Sequence, residues 1–180
     1  MDLKEKRVLV FGTGKSGIGA AELLEDMGSI PVLYDGNEKT DPAEVKSRLK
    51  EGTKAEVFIG NLPEKEIDKL SLVVLSPGVP TDLPLVFHFK EKGLKIWGEV
   101  ELAYAFGKGD VLAITGTNGK TTTTSLLGAI MEHARNSVFV VGNIGNPYTE
   151  AVEQMNEDSV TVAEISSFQM EKAKEFHPHI

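Results

Sequence analysis

Short β-branched runs alternate along the chain with longer segments whose apolar positions recur at helical spacing, the pattern of parallel βαβ units rather than of a sandwich or a bundle. Strands are predicted at Arg7 to Phe11, Pro31 to Tyr34, Ala55 to Ile59, Leu72 to Leu75 and Leu94 to Trp97, each followed by Gly, Pro, Asp or Ser. Between the first two, Ile18, Ala21, Leu24 and Met27 mark a helix that Gly28 can stop. These five strands make one doubly wound domain over residues 1–98. Glu99 to Phe106 reads as a connecting helix and Gly107-Lys108-Gly109-Asp110 as a break, after which a second α/β unit begins. Its elements are a strand at Val111 to Thr115, a helix from Thr121 to His133, a strand at Ser137 to Val141, a helix near Pro147 to Met155 and a strand at Val160 to Ile165. Three strands form a thin parallel sheet, so this unit, residues 99–180, is expected to be a truncated domain with a face or edge poorly covered.

Charge narrows the partners. With 19 Lys+Arg against 27 Asp+Glu the net charge is −8 and the bases are scattered, which argues against nucleic acid and against anionic membrane surfaces. The absence of cysteine excludes disulfides, thiolate metal sites and a cysteine nucleophile, and is compatible with a reducing compartment. At 41% hydrophobic and 26% charged residues the chain can bury a sizeable core. The opening MDLKEKRVLVFG holds no signal-peptide core, and no apolar stretch approaches the roughly 20 residues that cross a bilayer. A soluble, cytoplasmic, monomeric protein is expected.

Two loops carry candidate chemistry. Gly12-Thr13-Gly14-Lys15-Ser16-Gly17 follows a strand and opens a helix, matching G-x-G-x-x-G in the context that pattern requires. Its glycines let the backbone approach an anion at the helix N-terminus, and Asp35, ending the next strand, can accept a hydrogen bond from a ribose hydroxyl. NAD, another nucleotide ligand and a purely structural turn all remain open for this loop. Ser76-Pro77-Gly78 leaves the fourth strand at the same sheet edge, where a simple turn is an equal reading. The sharper signal is Thr115-Gly116-Thr117-Asn118-Gly119-Lys120-Thr121-Thr122, which resembles a P-loop with Ile114 where the general pattern has its first glycine. Successive N–H groups would cradle phosphates, Lys120 would neutralise β- and γ-phosphate oxygens, and the Thr121 hydroxyl would ligate Mg²⁺. Glu164 ends the next-but-one strand, where a carboxylate can stand near that metal. Asn143, Ser166 and Gln169 leave strands at the same edge, although a turn at Asn143 and a helix cap at Glu164 are the bland alternatives. The fold class expected is therefore α/β: a Rossmann-like parallel-sheet N-terminal domain followed by the start of a P-loop-type α/β ATPase domain. His88, His133, His177 and His179 lack ligand spacing and read as surface or packing residues.

The motifs T-G-T-N-G-K-T-T at 115–122, G-N-I-G at 142–145 and E-I-S-S-F-Q at 164–169 resemble the Mur ligases, and S-S-F-Q is most similar to the D-glutamate-adding members. The Gly12 to Gly17 loop, Asp35 and S-P-G-V-P at 76–80 are similar to that family's uridine-nucleotide domain, so the resemblance covers essentially the whole chain. It implies an ATP- and Mg²⁺-dependent enzyme of peptidoglycan synthesis that phosphorylates the carboxylate of UDP-N-acetylmuramoyl-L-alanine and lets D-glutamate displace phosphate. It further implies that Gly14, Lys15, Ser16, Asp35, Ser76, Pro77 and Gly78 hold the UDP end and that Gly116 to Thr122 hold ATP. Lys120 and Glu164 would serve catalysis, Thr121 and Glu164 would bind Mg²⁺, and Asn143, Ser166 and Gln169 would line the acceptor. The family's metal-binding histidine, carbamylated lysine and C-terminal domain lie beyond Ile180, so the 180-residue chain is expected to be inactive by itself. The family's hydroxyl and basic side chain after the aspartate are replaced here by Gly36 and Asn37. A UDP-sugar-binding module without turnover, another Mur ligase, and a nicotinamide-dependent oxidoreductase are the competing readings, the last leaving Lys120, Thr121 and Glu164 without a use.

Overall fold

The computed structural model describes residues 2–180 and divides into two compact units, one ending at Glu99 and the other running from Val100 to Ile180. The first contains β1 (Arg7–Phe11), α1 (Lys15–Asp26), β2 (Ile30–Asp35), α2 (Pro42–Ser47), β3 (Glu56–Ile59), α3 (Glu64–Ile67), β4 (Leu70–Leu75), α4 (Pro84–Glu91) and β5 (Lys95–Gly98). All pairings are parallel, in the order β3-β2-β1-β4-β5. The central strands bury both faces, which is why they read as unbroken apolar runs: Val8, Leu9, Val10, Val32, Leu33, Val73 and Val74 are fully buried. One face packs with Val86 and Phe89 of α4, while Ile18, Ala21 and Leu24 of α1 are buried as their spacing predicts. The order of strands reverses direction between β1 and β4, and the crevice this opens at their C-terminal ends receives the Gly12 to Gly17 and Ser76 to Gly78 loops.

The N-terminal edge of this sheet is pinned electrostatically, from the central strand β1 to the edge strand β3 and to α3. Arg7 donates both terminal nitrogens to Glu56 at 2.8 Å, and one of them also reaches Glu66 at 3.1 Å, which in turn accepts from Lys69 at 2.9 Å. The hydrogen bonds from Arg7 hold the Glu56 carboxyl below its usual range. A carboxyl so depressed contributes stability above its unfolded-state pKa and loses it as pH falls through the folded-state value. Arg7→Met is expected to cost about 1 kcal/mol at pH 7, discounted for the partial exposure of Glu56, and to shrink the wild-type loss of stability in acid; urea unfolding at pH 7 and pH 3 measures both.

The second unit has α5 (Glu99–Phe106, joining it to the first), β6 (Asp110–Ile114), α6 (Lys120–Ala134), β7 (Val138–Gly142), α7 (Tyr148–Ala151), a 3₁₀ turn at Val152–Gln154, β8 (Val160–Glu164) and α8 (Ser167–Lys172). Its sheet is parallel in the order β6-β8-β7, so the last strand lies in the middle. The continuous helix expected near 147–155 is instead one α-turn followed by a 3₁₀ turn, a tightening that tucks Val152 and Met155 into the core. Leu126 and Ile130 on α6 are exposed, and Val138, Phe139 and Val140 of β7 are only half-buried. Buried Glu101 of α5 accepts from the backbone N–H groups of Lys174 and Glu175, and Tyr104 donates to the His177 carbonyl at 2.8 Å, fixing the segment after α8. His179 and Ile180 then bond the backbone of β6.

Candidate functional site

In the first unit a cavity of about 320 Å³ is lined by the Gly12 to Gly17 loop, Asp35 and Ser76 to Val79, bringing together every residue the sequence assigned to this end. The turn is possible because Gly17 has no side chain: a Cβ there would sit 1.9 Å from the Gly12 carbonyl oxygen. Gly14 precedes the first turn of α1 without any side-chain cap, and that turn carries no acidic residue. Its N–H groups and the positive end of the helix are thus presented to an anion. Asp35 does more than end β2. Its Oδ2 accepts from the Thr13 hydroxyl at 2.6 Å and its Oδ1 from the Asn37 N–H at 2.9 Å, tying the glycine loop to the loop after β2. Two residues in this network were not singled out in the sequence. Thr13 is an unspecified position of the glycine pattern, and Arg48, just past α2, donates to the Thr13 carbonyl at 3.0 Å. No sequence spacing could pair positions so far apart.

In the second unit, strand register sets the geometry. Ile114, Glu164 and Gly142 stand in one row across β6, β8 and β7, so the Thr115 to Thr122 loop, Glu164 and Asn143 emerge at one sheet edge. Gly142 (φ +105°) is required there, since a Cβ would lie 2.3 Å from the Glu164 carbonyl oxygen. The loop itself is exposed, α6 begins uncapped by any side chain after Gly119, and Lys120 curls back to donate to the Gly116 carbonyl at 2.7 Å. Glu164 is 1% exposed. Its Oε1 accepts from Asn143 Nδ2 at 3.0 Å, while its buried Oε2 has no hydrogen-bond partner. A buried carboxylate oxygen with no donor fits a cation, because the cost of desolvating it is otherwise uncompensated. Among the described residues no three His, Asp or Glu side chains converge. That leaves a carboxylate and a hydroxyl such as that of Thr121 as protein donors, a set suited to Mg²⁺ held largely by phosphate oxygens and water.

Ser166 and Gln169 have a local duty. Ser166 Oγ accepts from the Gln169 N–H at 3.3 Å, and Gln169 Oε1 accepts from the Ser166 N–H at 2.9 Å, a capping box that starts α8. The cap of that helix is therefore Ser166 and not Glu164, which belongs to β8. His88 sits in α4 against Glu64, and His133 in α6 bonds its own helix's Ala129 carbonyl, so neither joins a site.

A Rossmann-like crevice in one unit and a P-loop-like turn beside a buried acid in the other define an α/β protein with two glycine-rich loops at the C-terminal edges of parallel sheets. Residues 6–98 match the family model described as Mur ligase MurD-like, N-terminal domain, and residues 114–178 match the Mur ligase middle domain. The chain belongs to the Mur ligase family. It is 56% identical over 178 residues to the UDP-N-acetylmuramoylalanine--D-glutamate ligase of Lachnospira eligens, covering 99% of this chain and 39% of that protein. It is 52% identical over 180 residues to the protein of the same name from Lachnoclostridium phytofermentans, covering 100% of this chain and 40% of that one. The chain thus spans about two-fifths of the length of these curated relatives. Among solved structures, the UDP-N-acetylmuramate:L-alanyl-gamma-D-glutamyl-meso-diaminopimelate ligase of Neisseria meningitides superposes with a TM-score of 0.53 at 18% identity, covering 88% of this chain and 52% of that one, a likeness of fold. No helix among the described residues is long and apolar enough to cross a membrane.

Proposed function

We propose that this chain supplies the uridine-nucleotide-binding domain (1–98) and the first part of the central ATP-binding domain (99–180) of a cytoplasmic, monomeric ligase that joins D-glutamate to UDP-N-acetylmuramoyl-L-alanine in peptidoglycan synthesis. The observation that carries this reading is the row of Ile114, Glu164 and Gly142, which sets a phosphate loop beside a buried carboxylate oxygen lacking a partner. Identity above 50% to the two relatives supports the choice of amino acid.

In this reading Gly14, Lys15 and Ser16 face the diphosphate, Asp35 the uridine ribose, and Ser76, Pro77 and Gly78 close the crevice. Gly116, Thr117, Asn118, Gly119 and Thr122 form the ATP phosphate cradle with Lys120, whose ammonium leaves the Gly116 carbonyl for the β- and γ-phosphate oxygens. Thr121 and Glu164 hold Mg²⁺, which when bound neutralises charge on the γ-phosphoryl group. Asn143 fixes the Glu164 carboxylate through its amide, and with Ser166 and Gln169 it borders the acceptor. A carboxylate oxygen of the muramoyl-alanine attacks the γ-phosphorus and ADP leaves; the D-glutamate amine then attacks the acyl carbon and inorganic phosphate leaves. Both reactants of the first step are anions, so the residues contribute chiefly positioning and charge neutralisation.

Calorimetric titration of the chain with UDP-N-acetylmuramoyl-L-alanine, with NAD and Mg-ATP in parallel, tests this. Saturable binding of the uridine ligand without a response to NAD is expected; binding of NAD alone would overturn the reading. Glu164→Gln is expected to separate stability from function. It relieves an uncompensated buried carboxylate and should raise stability by about 1 kcal/mol in thermal unfolding, while Mg²⁺-dependent nucleotide binding is lost.

A further inference from the structure

Thr13 and Asp35 both line the cavity of the first unit, and the Thr13 hydroxyl donates to Asp35 Oδ2 at 2.6 Å. Thr13 is buried, and its backbone is held from two sides: the preceding Gly12 N–H donates to the Tyr34 carbonyl at 2.8 Å, and the Thr13 carbonyl accepts from Arg48 at 3.0 Å. A β-branched side chain on a backbone so fixed has few rotamers, which keeps the hydroxyl in one place against the end of β2. Asp35 Oδ1 accepts from the Asn37 N–H at 2.9 Å, so each carboxylate oxygen has a donor and the group cannot turn without losing one. A carboxylate offers about four acceptor sites and no donor. The sites left over accept N–H or O–H groups and repel phosphate, whereas the uncapped amides that open α1, with no acid in its first turn, attract it. The cavity is thus polarised, with a phosphate end at α1 and a nucleoside end at Asp35. We propose that Thr13 is a positioning residue for nucleoside recognition, its hydroxyl holding the Asp35 carboxylate so that the remaining acceptor sites meet the ribose hydroxyls of the nucleotide in this crevice. The inference rests on the nucleotide reading of the first unit and adds to it the residue that orients the aspartate.

Isothermal titration with UDP on wild type, Thr13→Val, Thr13→Ser, Asp35→Ala and the Thr13→Val/Asp35→Ala double variant separates positioning from loop support. Valine keeps the shape of threonine and removes the hydroxyl; serine keeps the hydroxyl and removes the methyl group. The expected result is a UDP affinity about 10-fold weaker in T13V, an affinity within about 2-fold of wild type in T13S, and no further loss when T13V is added to D35A. The last comparison is the one that a merely structural threonine would fail, because damage to the glycine loop would weaken binding whether or not the aspartate is present. A T13V protein that binds UDP as wild type does, a T13S protein as weak as T13V, or an equal loss from T13V with and without Asp35 would each overturn the proposal and leave Thr13 a loop support. Failure of the wild-type chain to bind UDP at all would be a different result: it removes the nucleotide reading itself and this proposal with it.

Discussion

Replacing Lys120 with methionine is expected to weaken binding of Mg-ATP by about 100-fold, ~3 kcal/mol, with little change in the stability of the chain. The ammonium donates to the Gly116 carbonyl at 2.7 Å, and that carbonyl lies in an exposed loop where water can replace the donor. Methionine matches lysine in helix propensity at the first position of α6, so the fold loses almost nothing. The phosphates lose their only side-chain cation in the Thr115 to Thr122 loop, and two charge-assisted bonds with it. Calorimetry with Mg-ATP and urea unfolding on the same variant measure the two effects. Unchanged nucleotide affinity would remove the phosphate-loop assignment.

The other large effect is structural. Gly17→Ala is expected to destabilise the first unit by about 3 kcal/mol and to abolish binding in its crevice. The new Cβ would lie 1.9 Å from the Gly12 carbonyl oxygen and 2.9 Å from its carbon, and both are backbone, so no side-chain rotation relieves the clash. Relief requires α1 to move away from the loop, which spoils the amide cradle and the burial of Ile18 and Ala21 together. Gly14→Ala is the control: nothing lies within 4 Å of its Cβ, so its urea midpoint should shift far less. Equal losses for the two variants would show that steric closure at Gly17 is not what holds the turn.

The two glycine-rich loops and the strands leading into them were legible because each rests on local chemistry. Central parallel strands buried on both faces must be apolar runs, and loops at their ends need Gly where backbone meets backbone. The short α2 and α3 escaped notice because six and four residues carry too little periodicity, although Asp41 before Pro42 is a cap followed by a helix-starting proline. Ser166 and Gln169 show the opposite limit. Their spacing is that of a capping box, so residue types attributed to substrate recognition are also demanded by the backbone they start. The bond from Arg48 to Thr13 and the missing partner of Glu164 Oε2 were not legible, since both arise from tertiary neighbours that no spacing encodes.

The placement of β8 between β6 and β7 also constrains how this sequence can change in length. Side chains alternate faces along a strand, so a single residue inserted within β8 would turn Glu164 away from its row and shift its pairing with Ile114 and Gly142 at once. The exposed turn at Glu157 and Asp158 bears no such coupling and can absorb a residue without disturbing the sheet edge. Heritable insertions and deletions should accordingly collect in the turns at the far end of the strands, with the strands that deliver the acid and the phosphate loop kept at fixed length.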